Sequence, residues 1–113
     1  MYIAMNRFKV AKASAAEFET LWGERESYLY EVDGFDGFHL LKGPETDDYV
    51  LYASHTRWRD YDAFIAWTKS EQFRKAHQNA GNTSIRTLYL ESPQFEGFQA
   101  VQEVAADGTK RTL

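Results

Sequence analysis

Stretches with a period of two and stretches with a helical period follow one another in a fixed order. That order limits the fold more than any other feature of the chain. "YIAMNRFKV" (2–10) puts Tyr2, Ala4, Asn6, Phe8 and Val10 on one face and Ile3, Met5, Arg7 and Lys9 on the other, as in a strand. "SAAEFETLWGERESYLYEV" (14–32) then repeats Phe18, Leu21, Trp22, Arg25, Tyr28 and Leu29 at helical spacing. Ser14 with Glu17 three residues later forms a capping-box pattern, and Gly34 is the expected stop. "FDGFHLLKG" (35–43) and "DYVLYASHTRW" (48–58) read as two strands joined through the turn residues of "PETD". "RDYDAFIAWTK" (59–69) is a helix capped by Asp60, and Ser70 starts a second helical piece, so a break is expected near Lys69. That piece, "EQFRKAHQNAG" (71–81), carries Phe73, Ala76, His77 and Ala80 on one face and stops at Gly81. "NTSIRTLYLESP" (82–93) has no clear period, and "QFEGFQAVQEV" (94–104) alternates as a final strand.

The order β-α-β-β-α-β predicts an α+β, ferredoxin-like fold: one antiparallel sheet with two helices on one face. The expected domain spans residues 1–104, with the polar stretch "AADGTKRTL" (105–113) as a flexible tail. Helices cover one side of such a sheet and leave the other open. With eight Phe, seven Tyr and three Trp, the open face is expected to be apolar, and hence to pack against a second copy, sheet on sheet, as a homodimer.

Composition removes several classes of chemistry. The chain has no cysteine, which excludes disulfides, thiolate metal sites, iron–sulfur clusters and cysteine nucleophiles. Net charge is −4 and the 13 basic residues form no cluster in the sequence, against a nucleic-acid partner. No stretch has the length of a signal peptide or membrane span, so no membrane partner and a cytoplasmic location are expected. Gly-rich phosphate loops, a flavin or nicotinamide motif and a serine elbow are all missing, and Asp47 and Asp48 fall in a turn as solvated charge.

Four residues carry candidate chemistry, each with a bland alternative. His77, beside Phe73 and Ala76, is either a core histidine with its hydrogen bonds satisfied or a haem ligand held in direction by its helix. His39 and His55 lie on separate predicted strands without HxH or HExxH spacing, against a zinc site. Trp67 shares much of a face with Phe64 and is either core or a large ring pressed against a flat ligand. Asn6, an amide on the apolar face of the first strand, either bonds locally or donates toward a bound oxygen species. Arg25 is either a surface arginine or the partner of a ligand carboxylate.

Asn6, Trp67 and His77 together resemble the Asn–Trp–His triad of the IsdG-type haem-degrading monooxygenases, in the antibiotic-biosynthesis-monooxygenase-like superfamily. "NRFKV", "GFDGFHLLKG", "HTRWRDYDAFIAWTKSEQFRKAH" and "PQFEGFQAVQEV" are similar to that family too, so the resemblance runs from about Met5 to Val104. It implies a dimer whose two sheets form a shared barrel, with one haem per subunit as both substrate and oxygen-activating cofactor. In these terms His77 is the proximal iron ligand, Asn6 lies on the distal side and Trp67 ruffles the porphyrin. Phe64 and Phe73 line the haem pocket, and Arg25 lies near the substrate. Electrons come from an external reductase or small-molecule reductant. The triad does not set where the ring is cut or what product forms. Two other readings stand beside it: a cofactor-independent monooxygenase acting on a quinol or other aromatic, and a non-catalytic haem-binding or haem-delivery protein.

Overall fold

A computed structural model describes residues 1–77 and 88–113, and the side chain of His77 lies outside the described part. Its strands are β1 (Tyr2–Ala11), β2 (Phe35–Glu45), β3 (Tyr49–Trp58), β4 (Gln94–Gln99), β5 (Gln102–Val104) and β6 (Lys110–Thr112); its helices are α1 (Ala15–Glu24), α2 (Tyr61–Thr68) and α3 (Glu71–His77). The main sheet has the order β2-β3-β1-β4, antiparallel throughout. This is the ferredoxin-like α+β arrangement expected from the sequence.

The register shows how the core is laid out. The helix-covered face of β1 carries Tyr2, Ala4, Phe8 and Val10, all buried. Tyr2 and Ala4 join Leu29, Trp58, Ala63, Trp67 and Ala76 in one cluster. Phe8 and Val10 join Phe18, Val50, Tyr52 and Leu88 in another. Between the clusters, Asn6 pairs with Ser54 on one side and Phe95 on the other. A polar row therefore interrupts the apolar face. Tyr2 also shows why Gly97 must lack a side chain: a Cβ there would lie 1.8 Å from the Tyr2 hydroxyl.

Local chemistry explains where the elements stop. Asp60 caps α2 as expected, its carboxylate accepting from Ala63 N at 2.8 Å. The Ser70 hydroxyl accepts from Phe73 N at 3.0 Å and starts α3, so the helical region breaks at Lys69. Thr46 closes the β2–β3 turn, its hydroxyl accepting from Tyr49 N at 3.0 Å.

Several boundaries differ from expectation. α1 ends at Glu24 rather than running on to Leu29, because side chains take over the helix bonds beyond it. Glu26 accepts from Tyr28 N at 2.9 Å, Ser27 accepts from Leu29 N at 3.4 Å, and Tyr28 turns to a left-handed φ of 59°. The Ser14–Glu17 capping box does not form: Ser14 ends a 3₁₀ turn (Lys12–Ser14) and makes no side-chain cap bond. The final strand is split into β4 and β5. Residues 105–113, expected as a tail, carry the turn and β6 of a hairpin with β5. Ala80 and the Gly81 stop lie outside the described residues, as do residues 82–87. Residues 88–90 of the segment that showed no period run along β1, with Ala11 N donating to Leu88 O and Leu90 N to Lys9 O, both at 2.9 Å.

The open face carries Ile3, Met5, Leu41, Leu51, Ala53 and Phe98, with Ile3 beside Phe98 and Leu41 beside Ala53, but Arg7, Lys9, His55, Arg57 and Glu96 lie among them on the same face. Leu41 and Phe98 are 42% and 48% exposed. His39 and His55, expected on separate strands, are direct cross-strand neighbours on this face. Among the described residues no group of three or more metal-ligating side chains forms.

Candidate active site

A cavity of about 810 Å³ opens over the polar row. Such a volume lies within the ~300–1,000 Å³ range of cofactor and small-molecule sites. Its walls come from distant parts of the chain. β1 and β3 supply Asn6, Ser54 and Thr56, α1 and β2 supply Trp22 and Phe38, and α2 supplies Trp67. The α1–β2 connection adds Arg25, α3 adds Ala76, and the segment before β4 adds Tyr89 and Glu91. The floor is polar and the sides are largely aromatic. Trp22 and Phe38 stack nearly parallel, with ring centres 6.0 Å apart and 7° between planes.

The structure brings Asn6, Trp67 and Arg25 to this one cavity. Asn6 reaches it because it alone breaks the buried series on β1, and its own N–H is held by the Ser54 hydroxyl at 3.3 Å. Trp67 is buried and presents an edge of the core to the cavity, with Trp58 6.0 Å behind it and Phe73 5.2 Å away at 81°. The backbone of His77 ends α3, and Ala76, the residue before it, lines the wall. Where the imidazole sits is outside the described residues. Phe64 and Phe73, which the family resemblance puts in the haem pocket, are not among the residues lining this cavity. Phe64 packs against Tyr2 and stacks on Phe95 at 5.6 Å, and Phe73 supports Trp67.

Arg25 is the electrostatic anomaly of the site. Its guanidinium lies over the Trp22 ring at 4.7 Å, and Nη2 donates to Ala76 O at 3.4 Å. Nε is closed off from solvent without a hydrogen-bond partner. Burial pulls its pKa below the usual arginine value. It stays charged at neutral pH. No carboxylate among the described residues pairs with it. Glu91, which lines the same cavity, pairs instead with Lys9 at 3.2 Å. A half-buried cation with no counter-ion among the described residues suits an anionic group brought by a ligand.

Sequence reasoning missed Tyr89, Trp22 and Phe38 as wall residues. Tyr89 fell in a segment without a period. Trp22 stood in a helical stripe that gave no sign of which members face a cavity. Burial pushes the Tyr89 phenol upward in pKa, while the nearby Trp22 indole and Arg25 charge pull it back.

The profile of the antibiotic biosynthesis monooxygenase family matches residues 1–79. A curated heme-degrading monooxygenase of Listeria welshimeri is 32% identical over 90 residues, covering 74% of this chain and 74% of that protein. Its counterpart from Listeria monocytogenes matches to the same extent. Among solved structures, the heme degrader MhuD from Mycobacterium tuberculosis, with two hemes in its active site, superposes with a TM-score of 0.69 at 22% identity over 93% of this chain and 100% of that one. The N63A mutant of SnoaB, a cofactor-independent oxygenase from Streptomyces nogalater, superposes with a TM-score of 0.61 at 25% identity over 91% and 95%.

Proposed function

Since this chain belongs to the antibiotic biosynthesis monooxygenase family, as an IsdG-type member, we propose that it is a haem-degrading monooxygenase that opens the porphyrin ring and releases iron. The observation that carries this reading is the meeting of Asn6 and Trp67 on the wall of one aromatic cavity, with the helix that ends in His77 forming another side. The volume suits a large flat ligand. The aromatic Phe8, Trp22, Phe38 and Trp67 suit a porphyrin face, and the polar lining offers groups for the iron side and the propionates. The curated Listeria relatives support the same substrate.

Within this reading each residue has a defined task. Haem, when bound, supplies an iron that activates oxygen and is itself the molecule consumed. His77, at the end of α3, would hold the iron. Asn6, on the floor, presents an amide that orients an oxygen species without competing as a strong ligand. Trp67, backed by Trp58 and Phe73, would give the porphyrin a rigid ring to press against. Arg25 takes a propionate. The aromatic walls exclude water from the ring. Electrons come from an external reductase or small-molecule reductant. The working unit is a homodimer joined through the open sheet face, acting in the cytoplasm.

One test is a visible titration with haemin, followed by ascorbate in air with catalase present. Saturation near one haem per chain, then loss of the Soret band with release of chelatable iron, is the expected course. His77→Ala is expected to lose the histidine-ligated spectrum. Asn6→Ala is expected to bind haem and stop turnover. Retention of the histidine-ligated spectrum by His77→Ala would sink the ligand assignment. Binding without ring loss favours a haem carrier. No binding favours a cofactor-independent oxygenase acting on an aromatic substrate, the reading that the likeness to SnoaB supports.

A further inference from the structure

Tyr89 lies outside the triad, yet its phenol is fixed on every side. Backbone bonds from Ala11 to Leu88 and from Leu90 to Lys9 pin the chain before and after it. Its ring packs on Phe8 at 5.3 Å and on Phe18 at 5.9 Å. Tyr89 lines the cavity, and a phenol hydroxyl can donate as well as accept. Arg25 lies over Trp22 and lines the same cavity. Two donors, one of them charged, line one cavity, and no carboxylate among the described residues pairs with either, Glu91 being held by Lys9.

We propose that Tyr89 is a ligand-contacting specificity residue that forms, with Arg25, a two-donor clamp for a carboxylate of the bound ligand. The cavity therefore selects flat aromatic molecules that carry a carboxylate over neutral ones of the same shape. Trp22 is the positioning residue for Arg25, whose guanidinium lies over its ring. In the haem-degrading reading, on which this assignment of ligand class rests, the carboxylate is a propionate. A pre-set donor pair needs no reorganisation on binding, so the discrimination is built into the empty site.

The test compares zinc protoporphyrin IX with its dimethyl ester, followed by quenching of tryptophan fluorescence, so that no turnover is involved. The native protein is expected to hold the diacid at least about tenfold tighter than the ester, the range of one hydrogen bond to a charged group. Tyr89→Phe, which keeps the ring, is expected to weaken the diacid severalfold and leave the ester unchanged. Arg25→Met must narrow the same ratio alone, which keeps the clamp testable should Tyr89→Phe not fold. Equal weakening of both ligands, or an unchanged ratio, overturns the clamp and leaves Tyr89 a packing residue. If neither porphyrin binds the native protein, the haem reading fails. The ratio is then read with anthracene-9-carboxylate against its methyl ester, and no preference for the acid there overturns the clamp.

Discussion

Arg25→Met separates the cost of folding from the gain in binding at one side chain. Methionine keeps most of the stem that covers Trp22 and removes the charge and the forked donors. In the ligand-free protein the substitution loses a cation–π contact of about 0.5–2 kcal/mol, given the 4.7 Å approach to Trp22. It also loses a long hydrogen bond to Ala76 O, at 3.4 Å, worth about 0.5 kcal/mol. It gains back the desolvation of a buried donor without a partner, about 1–3 kcal/mol. These terms offset to within about 1 kcal/mol, so the urea midpoint of the ligand-free variant should hardly move. Binding behaves differently. A charged hydrogen bond to a ligand carboxylate is worth about 1.5–3 kcal/mol, so the dissociation constant for a dicarboxylate porphyrin should rise roughly 10- to 150-fold. The assay pairs urea denaturation without ligand with a porphyrin titration of the same preparation. A loss of more than about 2 kcal/mol in stability with unchanged affinity would refute the reasoning, since Arg25 would then be a structural cation.

Three further outcomes follow from the structure. Asp60→Ala removes the cap of α2 and is expected to cost about 1 kcal/mol in urea denaturation, with a weaker porphyrin complex because α2 carries Trp67. Glu19 is held below its ordinary pKa of 4.5 first by the hydrogen bond from the Tyr52 hydroxyl and then by Lys42. A lowered folded-state pKa stabilises above the unfolded value and fades as pH falls below about 4.5. Glu19→Gln should therefore flatten the fall of melting temperature on that acid side, and an unchanged slope would count against the pairing. Met5→Arg places a charge on the open sheet face beside His55 and Glu96. In the dimer reading it should shift light-scattering mass from two chains to one, and a native protein that is already a monomer would end that reading.

The topology could be read from the sequence because alternation and helical spacing are local properties, and each element here keeps its own period. Asn6 could be read for the same reason, as the one amide in a buried series. The end of α1 could not, since the period runs on through Tyr28 and Leu29 while Glu26 and Ser27 take over the backbone bonds. Nor could the division of the α2–α3 stripe. Phe64, Trp67 and Phe73 share a helical pattern, and only the position of the sheet beneath decides that Trp67 meets the cavity while the other two pack elsewhere. Tyr89 was hidden most deeply, because its place depends on pairing with β1, about eighty residues earlier in the chain.

The polar row at Asn6 and Ser54 leaves the two halves of the core meeting across a slot rather than packing on one another. Whatever fills that slot touches both halves at once and becomes an internal part of the fold. Its binding energy is then shared with the folding equilibrium. A ligand present at a hundred times its dissociation constant adds about 2.7 kcal/mol to the stability of a chain that binds it only when folded. The melting temperature is thus a reporter of occupancy, and a thermal-shift screen against flat acids and their esters would rank ligands before any of them is turned over.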